Sequence, residues 1–405
     1  MRMSIRPKTA VTVGLVLLGV VVGLYGLFAL TSDNPMSALQ GLFSGAVSSP
    51  GRIAQWLSYA SFLMITGASV CLVFRVGMFS IGAEGQVFVA ALLSGALVLM
   101  LGPSPFALPL AIVAAALAGF LWGVISGLMK AYLGADEIVT TLMMNYIATF
   151  LFAFVVKEFL QPADAGFPVS EFFDPSSWFP TVGSSPAIST TLVLGVAVCL
   201  ITSLVLNRSR FGYRLRVVGS SPRFAHANGM PVARLIWLSI AVSGAVAGLA
   251  GAAIAFGGTN RLILGMATGI GFDGILVALL AANRPILVPV MALAYGFLRT
   301  GGDVIQITSN VPRDIVVVLQ GVIILVLAAG MRYWEQRADR TVVDPAASST
   351  TVALATAHPA KSLLGRPKGA SGRPTTSASD TSSVDVTPTA EEDTERSSRV
   401  PRQRS

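Results

Sequence analysis

The chain's 405 residues are 53% hydrophobic and only 12% charged, about half the charged share of a soluble domain, which excludes a soluble globular protein and implies many membrane spans. The formal net charge of +8 does not imply nucleic-acid binding, which needs basic and aromatic side chains clustered on one solvated face; here the basic residues lie in short loops between apolar runs. Cys71 and Cys199 sit inside apolar runs without CxxC spacing, so they read as small core residues.

Apolar runs long enough to cross about 30 Å of hydrocarbon recur over residues 1–334. In chain order they are Ala10–Leu30, Gln55–Phe74, Ile81–Leu101, Phe106–Met129, Glu137–Val156, Ser189–Leu206, Leu235–Gly257, Gly271–Ala282, Pro285–Leu298 and Ile315–Met331. The fold class is therefore all-α, a polytopic membrane helix bundle of about ten spans, the eighth and ninth short for a full crossing. The first run is too long for a signal-peptide core and no A-x-A-like site follows it, so an uncleaved first span is expected. With the N-terminus cytoplasmic, thirteen basic residues of the body fall inside and five (Arg52, Lys157, Arg261, Arg299, Arg313) outside. This satisfies the positive-inside rule and places both termini in the cytoplasm.

Between the second and third spans the stretch "RVGMFSIGAEGQ" from Arg75 carries an acid, Glu84, an amide, Gln86, and three glycines. Glycine tolerates backbone that is neither helix nor strand, and such backbone survives at membrane depth only where it is buried in protein or lines a wet path. A broken helix lining a path is one reading; an Arg75–Glu84 ion pair flanking a tight turn is the other. In the next span Gly119, Gly123 and Gly127 share one stripe, which permits close helix packing. "GADEIVTTLMMNYIATF" from Gly134 offers Asp136 as N-cap, with Glu137, Thr141 and Asn145 on one helical face. That face must point into the bundle or toward water, so Asn145 is either a pathway contact or an interhelical hydrogen bond.

The longest outer loop, Lys157 to Ile188, carries Glu158, Asp164, Glu171 and Asp174. The longest inner loop holds "SSPRFAHANGMP", in which Pro222 opens a short helix to about Asn228 and Gly229 stops it. Such a helix is either a docking surface for a soluble partner or part of a basic loop that fixes topology. "GIGFDGILVALLAANRP" from Gly269 repeats the glycine-flanked acid: Asp273-Gly274 echoes Glu84-Gly85. An odd number of crossings separates the two, the pattern of discontinuous helices in an inverted repeat. Beyond Trp334, residues 335–405 are rich in Ser, Thr, Pro and charge and are expected to form a disordered cytoplasmic tail.

The segments "FSIGAEGQ", "GADEIVTTLMMNYIA", "GYRLRVVGSSPRFAHANGMPV", "SGAVAGLAGA" and "GIGFDGILVALLAANRP" together resemble the membrane permease subunits of bacterial ABC importers for nucleosides and simple sugars, of the branched-chain amino acid and ribose permease superfamily. The resemblance implies a multi-pass permease of the bacterial plasma membrane that is not itself an enzyme and holds no cofactor. ATP and Mg would bind a partner ABC ATPase. An extracytoplasmic solute-binding lipoprotein would deliver solute to the outer mouth. A second permease subunit, identical or, more commonly in the family, different, would complete the path within membrane lipid. Glu84, Gln86, Thr141, Asn145 and Asp273 are the candidate pathway residues. Ser221, Pro222, Arg223, Phe224, Ala225, Asn228 and Gly229 are the candidates for coupling to the ATPase. The sequence has no G-x-x-x-x-G-K-[ST], hence no P-loop of its own. Its only histidines are His226 and His358, too far from the spans for intramembrane hydrolysis or a metal site. A cation-coupled secondary transporter remains the alternative, since inverted repeats and broken helices would look the same in sequence.

Overall fold

The computed structural model describes residues 44–308 except 184 and 186, together with positions 36, 40, 41 and 321. Ten α-helices occur among the described residues: α1 (Pro50–Phe74), α2 (Ala83–Leu101), α3 (Ala107–Leu133), α4 (Glu137–Val155), α5 (Thr191–Arg208), α6 (Arg210–Ser220), α7 (Pro222–Ala227), α8 (Val232–Ile254), α9 (Ile270–Leu280) and α10 (Val288–Thr308). Single π-helical turns extend α4 to Leu160 and α8 to Thr259. Two short strands, β1 (Thr181–Val182) and β2 (Ile188–Ser189), pair antiparallel before α5. Six helices, α1 to α5 and α8, are long and apolar enough to cross a membrane. The expected first span, the tenth apart from position 321, and the tail over residues 335–405 lie outside the described residues.

Local sequence sets several ends. Pro50 occupies the first turn of α1 behind Ser49, whose hydroxyl accepts from the Arg52 N–H. Asp136 caps α4 as anticipated, accepting from the N–H groups of Ile138 and Val139 at 2.9 and 3.0 Å. The expected eighth span is α9, only 11 residues, about 16 Å at the helical rise and half a hydrocarbon thickness. The ninth needs correction: it runs ten residues beyond Leu298, to Thr308. Arg299, Thr300 and Asp303 lower the hydropathy there and end the apolar window, while the backbone stays helical to Thr308.

Small residues determine how closely the central helices meet. Gly119 on α3 and Gly244 on α8 each point at the other's carbonyl, and Gly248 points at the Ala115 carbonyl. A Cβ on Gly123 would lie 2.8 Å from the Ile240 carbonyl, and one on Gly127 2.8 Å from that of Trp237. As the α3 numbers rise the α8 numbers fall, so the two helices are antiparallel along a backbone-to-backbone seam. The glycine stripe of α3 is thus a packing face. On the other side of α8, a Cβ on Gly251 would lie 2.5 Å from the Val87 carbonyl of α2, which leaves α8 wedged between α2 and α3.

Beyond α8 the chain is stitched to the loop before α5: the N–H groups of Ser170, Phe173 and Phe179 donate to the carbonyls of Leu262, Asn260 and Phe256, each at 2.9 Å. In that loop the Ser176 hydroxyl and backbone N–H hold the Asp174 carboxyl below the usual range. At the opposite end a second apolar cluster of Leu72, Val76, Leu206, Leu215, Val218, Ala225 and Leu235 seats α6 and α7 on the ends of α1, α5 and α8.

Candidate functional site

After α1 the chain turns at Gly77, whose φ of 76° is a left-handed conformation suited to glycine, and runs without helix to Gly82. The residue capping α2 is Gly82, which has no side chain to satisfy the first N–H groups. Helix α4 supplies the missing partners. Thr141 Oγ1 accepts from the Ile81 N–H at 3.1 Å, Asn145 Nδ2 donates to the Ile81 carbonyl at 2.9 Å, and Asn145 Oδ1 accepts from the Gly85 N–H at 2.8 Å. Two side chains one turn apart on α4 therefore fix the start of α2. Gly85 allows this approach, since a Cβ there would lie 2.8 Å from Asn145 Oδ1. Both ends of the Asn145 amide are committed to backbone, the interhelical-bond reading of that residue. Glu137, on the same stripe, pairs with Lys130 instead.

The start of α9 meets the start of α2 end to end. Gly269, with φ of 83°, opens α9, and a Cβ on Gly271 would lie 2.6 Å from both Cα and Cβ of Glu84. From this contact the two helices diverge: α2 passes along α8 until Gly95 reaches Leu262 beyond it, while α9 follows α1, with Gly274 at Thr66 and Val277 at Gly67, toward Arg75. Two N-termini, each the positive end of its helix dipole, thus converge on two acids.

Glu84 is 8% exposed, and its carboxylate interacts with the backbone N–H groups of Gly269 and Phe272. Its Oε2 has no hydrogen-bond partner, and neither has Oε1 of Gln86, which is 2% exposed with its amide 3.3 Å from where a Cβ would stand on Gly123 or Gly244. Buried acceptors without donors are exceptional in folded proteins. The ion-pair reading of Arg75 and Glu84 does not hold among the described residues, because Arg75 lies at the far end of α9, beside Ala282, Asn283 and Arg284.

Asp273, in the first turn of α9, turns toward α1 and α10. Its Oδ2 accepts from the Tyr59 hydroxyl at 2.6 Å and its Oδ1 from the Tyr295 hydroxyl at 2.5 Å. Arg299 stands over the Tyr59 ring at 6.0 Å and within electrostatic range of Asp273 and Asp303. Sequence reasoning missed Tyr59 and Tyr295 and counted Arg299 as an outer-loop charge; it lies inside α10. A signal was present, because Tyr295, Arg299 and Asp303 recur every four residues, the same spacing that drew attention to Thr141 and Asn145.

The predicted pathway residues thus fall in one neighbourhood: Glu84, Gln86, Thr141 and Asn145 around the start of α2, and Asp273 just across the Gly271 contact. The predicted coupling residues form a separate surface. Ser221 caps α7, accepting from the Phe224 N–H at 3.3 Å, and Gly229 ends the turn with φ of 72°. Ala225 is buried in the small cluster, while Pro222, Arg223, Phe224, Asn228 and Gly229 are exposed, Phe224 at 61%. Gly219, just before α7, packs its Cα on the Arg75 carbonyl, and Gly77 approaches the Gly219 carbonyl, where a Cβ would lie at 3.2 Å. Among the described residues no three His, Cys, Asp or Glu side chains gather as a metal site.

A family model described as "Branched-chain amino acid transport system / permease component" matches residues 52–328. The guanosine ABC transporter permease protein NupP of Bacillus subtilis (strain 168) is 33% identical over 301 residues, which cover 72% of this chain and 85% of that one. The nucleoside ABC transporter permease protein NupB of Lactococcus lactis subsp. cremoris is 27% identical over 345 residues, 81% of this chain and 91% of its own. A glucose ABC transporter permease protein of Haloferax volcanii is 30% identical over 323 residues, 77% of this chain and 85% of its own.

Proposed function

The chain belongs to the branched-chain amino acid transport system permease family, and on that premise we propose that it forms one half of a nucleoside path whose narrow point is the meeting of α2 and α9. It is a multi-pass permease subunit of an ABC importer, not itself an enzyme and without a cofactor of its own, and it works with an ATPase and a solute-binding protein.

The observation that carries the site is the buried, unsatisfied acceptor Glu84 Oε2 beside two opposed helix N-termini, with a second such acceptor, Gln86 Oε1, on the neighbouring face of α2 against the α3 and α8 glycines. Ribose hydroxyls and base N–H groups are donors that would match such acceptors, and a hexose shares the hydroxyls. A nucleoside is preferred because two of the three relatives described above are named for nucleosides. Discontinuous helices meeting near a central pathway are characteristic of inverted repeats, and α2 with α9 is read as that pair. A second, related permease completes the dimer. The arginine-rich end with α6 and α7 faces the cytoplasm, in keeping with the positive-inside bias, so both termini are cytoplasmic too.

Coupling follows a contiguous set of contacts. The ATPase grips Pro222 to Phe224; α7 is continuous with Gly219; Gly219 bears on Arg75 and Gly77; and the segment from Gly77 leads directly to Ile81 and Glu84. ATP drives alternation because it binds one arrangement of the ATPases better than the other, and only differential affinity shifts a conformational equilibrium.

The test is guanosine uptake by proteoliposomes holding the complete importer. Uptake should require ATP hydrolysis, and Glu84→Gln or Gln86→Leu should lower it about tenfold or more, the loss of roughly 1.4 kcal/mol of solute interaction, while the complex still assembles. Uptake driven by a proton or sodium gradient without the ATPase would overturn the reading, as would full uptake by both variants.

A further inference from the structure

At the end of the bundle that carries α6 and α7, the structure forms an open cavity of about 360 Å³ lined by Phe74, Arg75, Arg216, Gly219, Ser220, Ala282, Asn283 and Arg284. We propose that this cavity is a phosphate-ester site, in which Arg75, Arg216 and Arg284 hold the phosphate of an anionic ligand and Phe74 covers its apolar part. The positive-inside bias needs these charges on this side of the membrane but not their gathering around one cavity, and the proposed solute path lies at the other end of α9.

Four observations carry it. Three arginines from three elements, the end of α1, α6 and the turn after α9, converge on one cavity with no acid among its lining residues. Like charges repel at such range unless something neutralises them, and among the described residues none of the three has a carboxylate partner. Arg75 Nε is buried without a hydrogen-bond partner, an unspent donor of the kind phosphate oxygens satisfy bidentately. The wall after α9 is held in an uncommon conformation: Ala282 has φ of 48° and Asn283 φ of 54°. Such strain in non-glycine residues clusters at ligand sites. The volume is at the lower end of small-ligand pockets, about 300–1,000 Å³, enough for a phosphate and its ester substituent. The same chemistry could come from a phospholipid headgroup of the cytoplasmic leaflet or from a free phosphate, and the experiment separates them.

The full-length chain, freed of lipid in an uncharged detergent, is melted with inorganic phosphate, with dihexanoyl phosphatidylglycerol, and with sodium chloride at matched ionic strength. The melting midpoint should rise by about 2–4 °C over chloride, and the rise should vanish in both Arg216→Gln and Arg284→Gln, whose side chains are exposed. Protection by phosphatidylglycerol alone assigns a lipid headgroup; protection by inorganic phosphate as well assigns a free phosphate. No protection beyond chloride, or protection that persists in either variant, overturns the site. Should a Gln variant fail to fold, the Lys replacement at that position is melted instead: it keeps the charge but not the fork, so an unchanged concentration dependence also overturns the proposal.

Discussion

Asn145 shows how a polar side chain inside a membrane bundle can serve backbone rather than solute. Its amide closes two hydrogen bonds onto the start of α2, at 2.9 and 2.8 Å, for which Gly82 offers no side chain. Asn145→Ala should therefore strand the Gly85 N–H and the Ile81 carbonyl and destabilise the protein by about 1–3 kcal/mol, read from unfolding in detergent. Unchanged stability with altered solute preference would return the residue to the path. Asp273 is likewise held by the Tyr59 and Tyr295 hydroxyls, so of the five candidate pathway residues Glu84 and Gln86 are the ones with acceptors to spare. The stripe of Thr141 and Asn145 was legible in sequence from its spacing; its role was not, because spacing gives a face and not the partner on it.

At the scale of elements, glycine determines which helices can touch. The seam between α3 and α8 and the end-to-end contact of α2 with α9 both place backbone where a side chain would stand, and both exploit the tight packing that small residues give membrane helices. Gly271→Ala inserts a methyl 2.6 Å from Glu84 Cα, so the two helix ends must separate. Uptake should fall at least tenfold while the complex still assembles, and Gly244→Ala should instead destabilise the whole bundle by about 1–3 kcal/mol through overpacking. Comparing uptake with detergent melting for the two variants distinguishes these outcomes; identical behaviour would argue that the α2 and α9 contact is ordinary packing. The glycine-flanked acids of both helices stand out in the sequence, and the short apolar run of α9 signalled a partial crossing. That the two starts touch depends on how α1, α4 and α8 pack around them.

On the scale of the whole molecule, α7 and the start of α2 are linked through Gly219, Arg75 and Gly77. Replacing Arg223 and Phe224 with alanine changes exposed side chains over a buried Ala225, so the fold should persist. The ATPase should keep hydrolysing while uptake falls severalfold or more, measured as phosphate released per solute transported. An unchanged ratio would remove α7 from the coupling route.

Sequence alone determined that this is a helical membrane protein, where most spans lie, that α7 is a short capped helix, and which acids, amides and glycines are unusual for their depth. It could do so because hydrocarbon thickness, helix periodicity and capping act over a few consecutive residues. Tertiary structure alone decided that α2 and α9 meet, that Asn145 is spent on backbone, that Arg299 belongs to a half-buried cluster with Asp273, and that three arginines share one cavity. Those facts depend on contacts between residues tens to hundreds of positions apart, fixed by the packing of all the helices at once and by no local pattern.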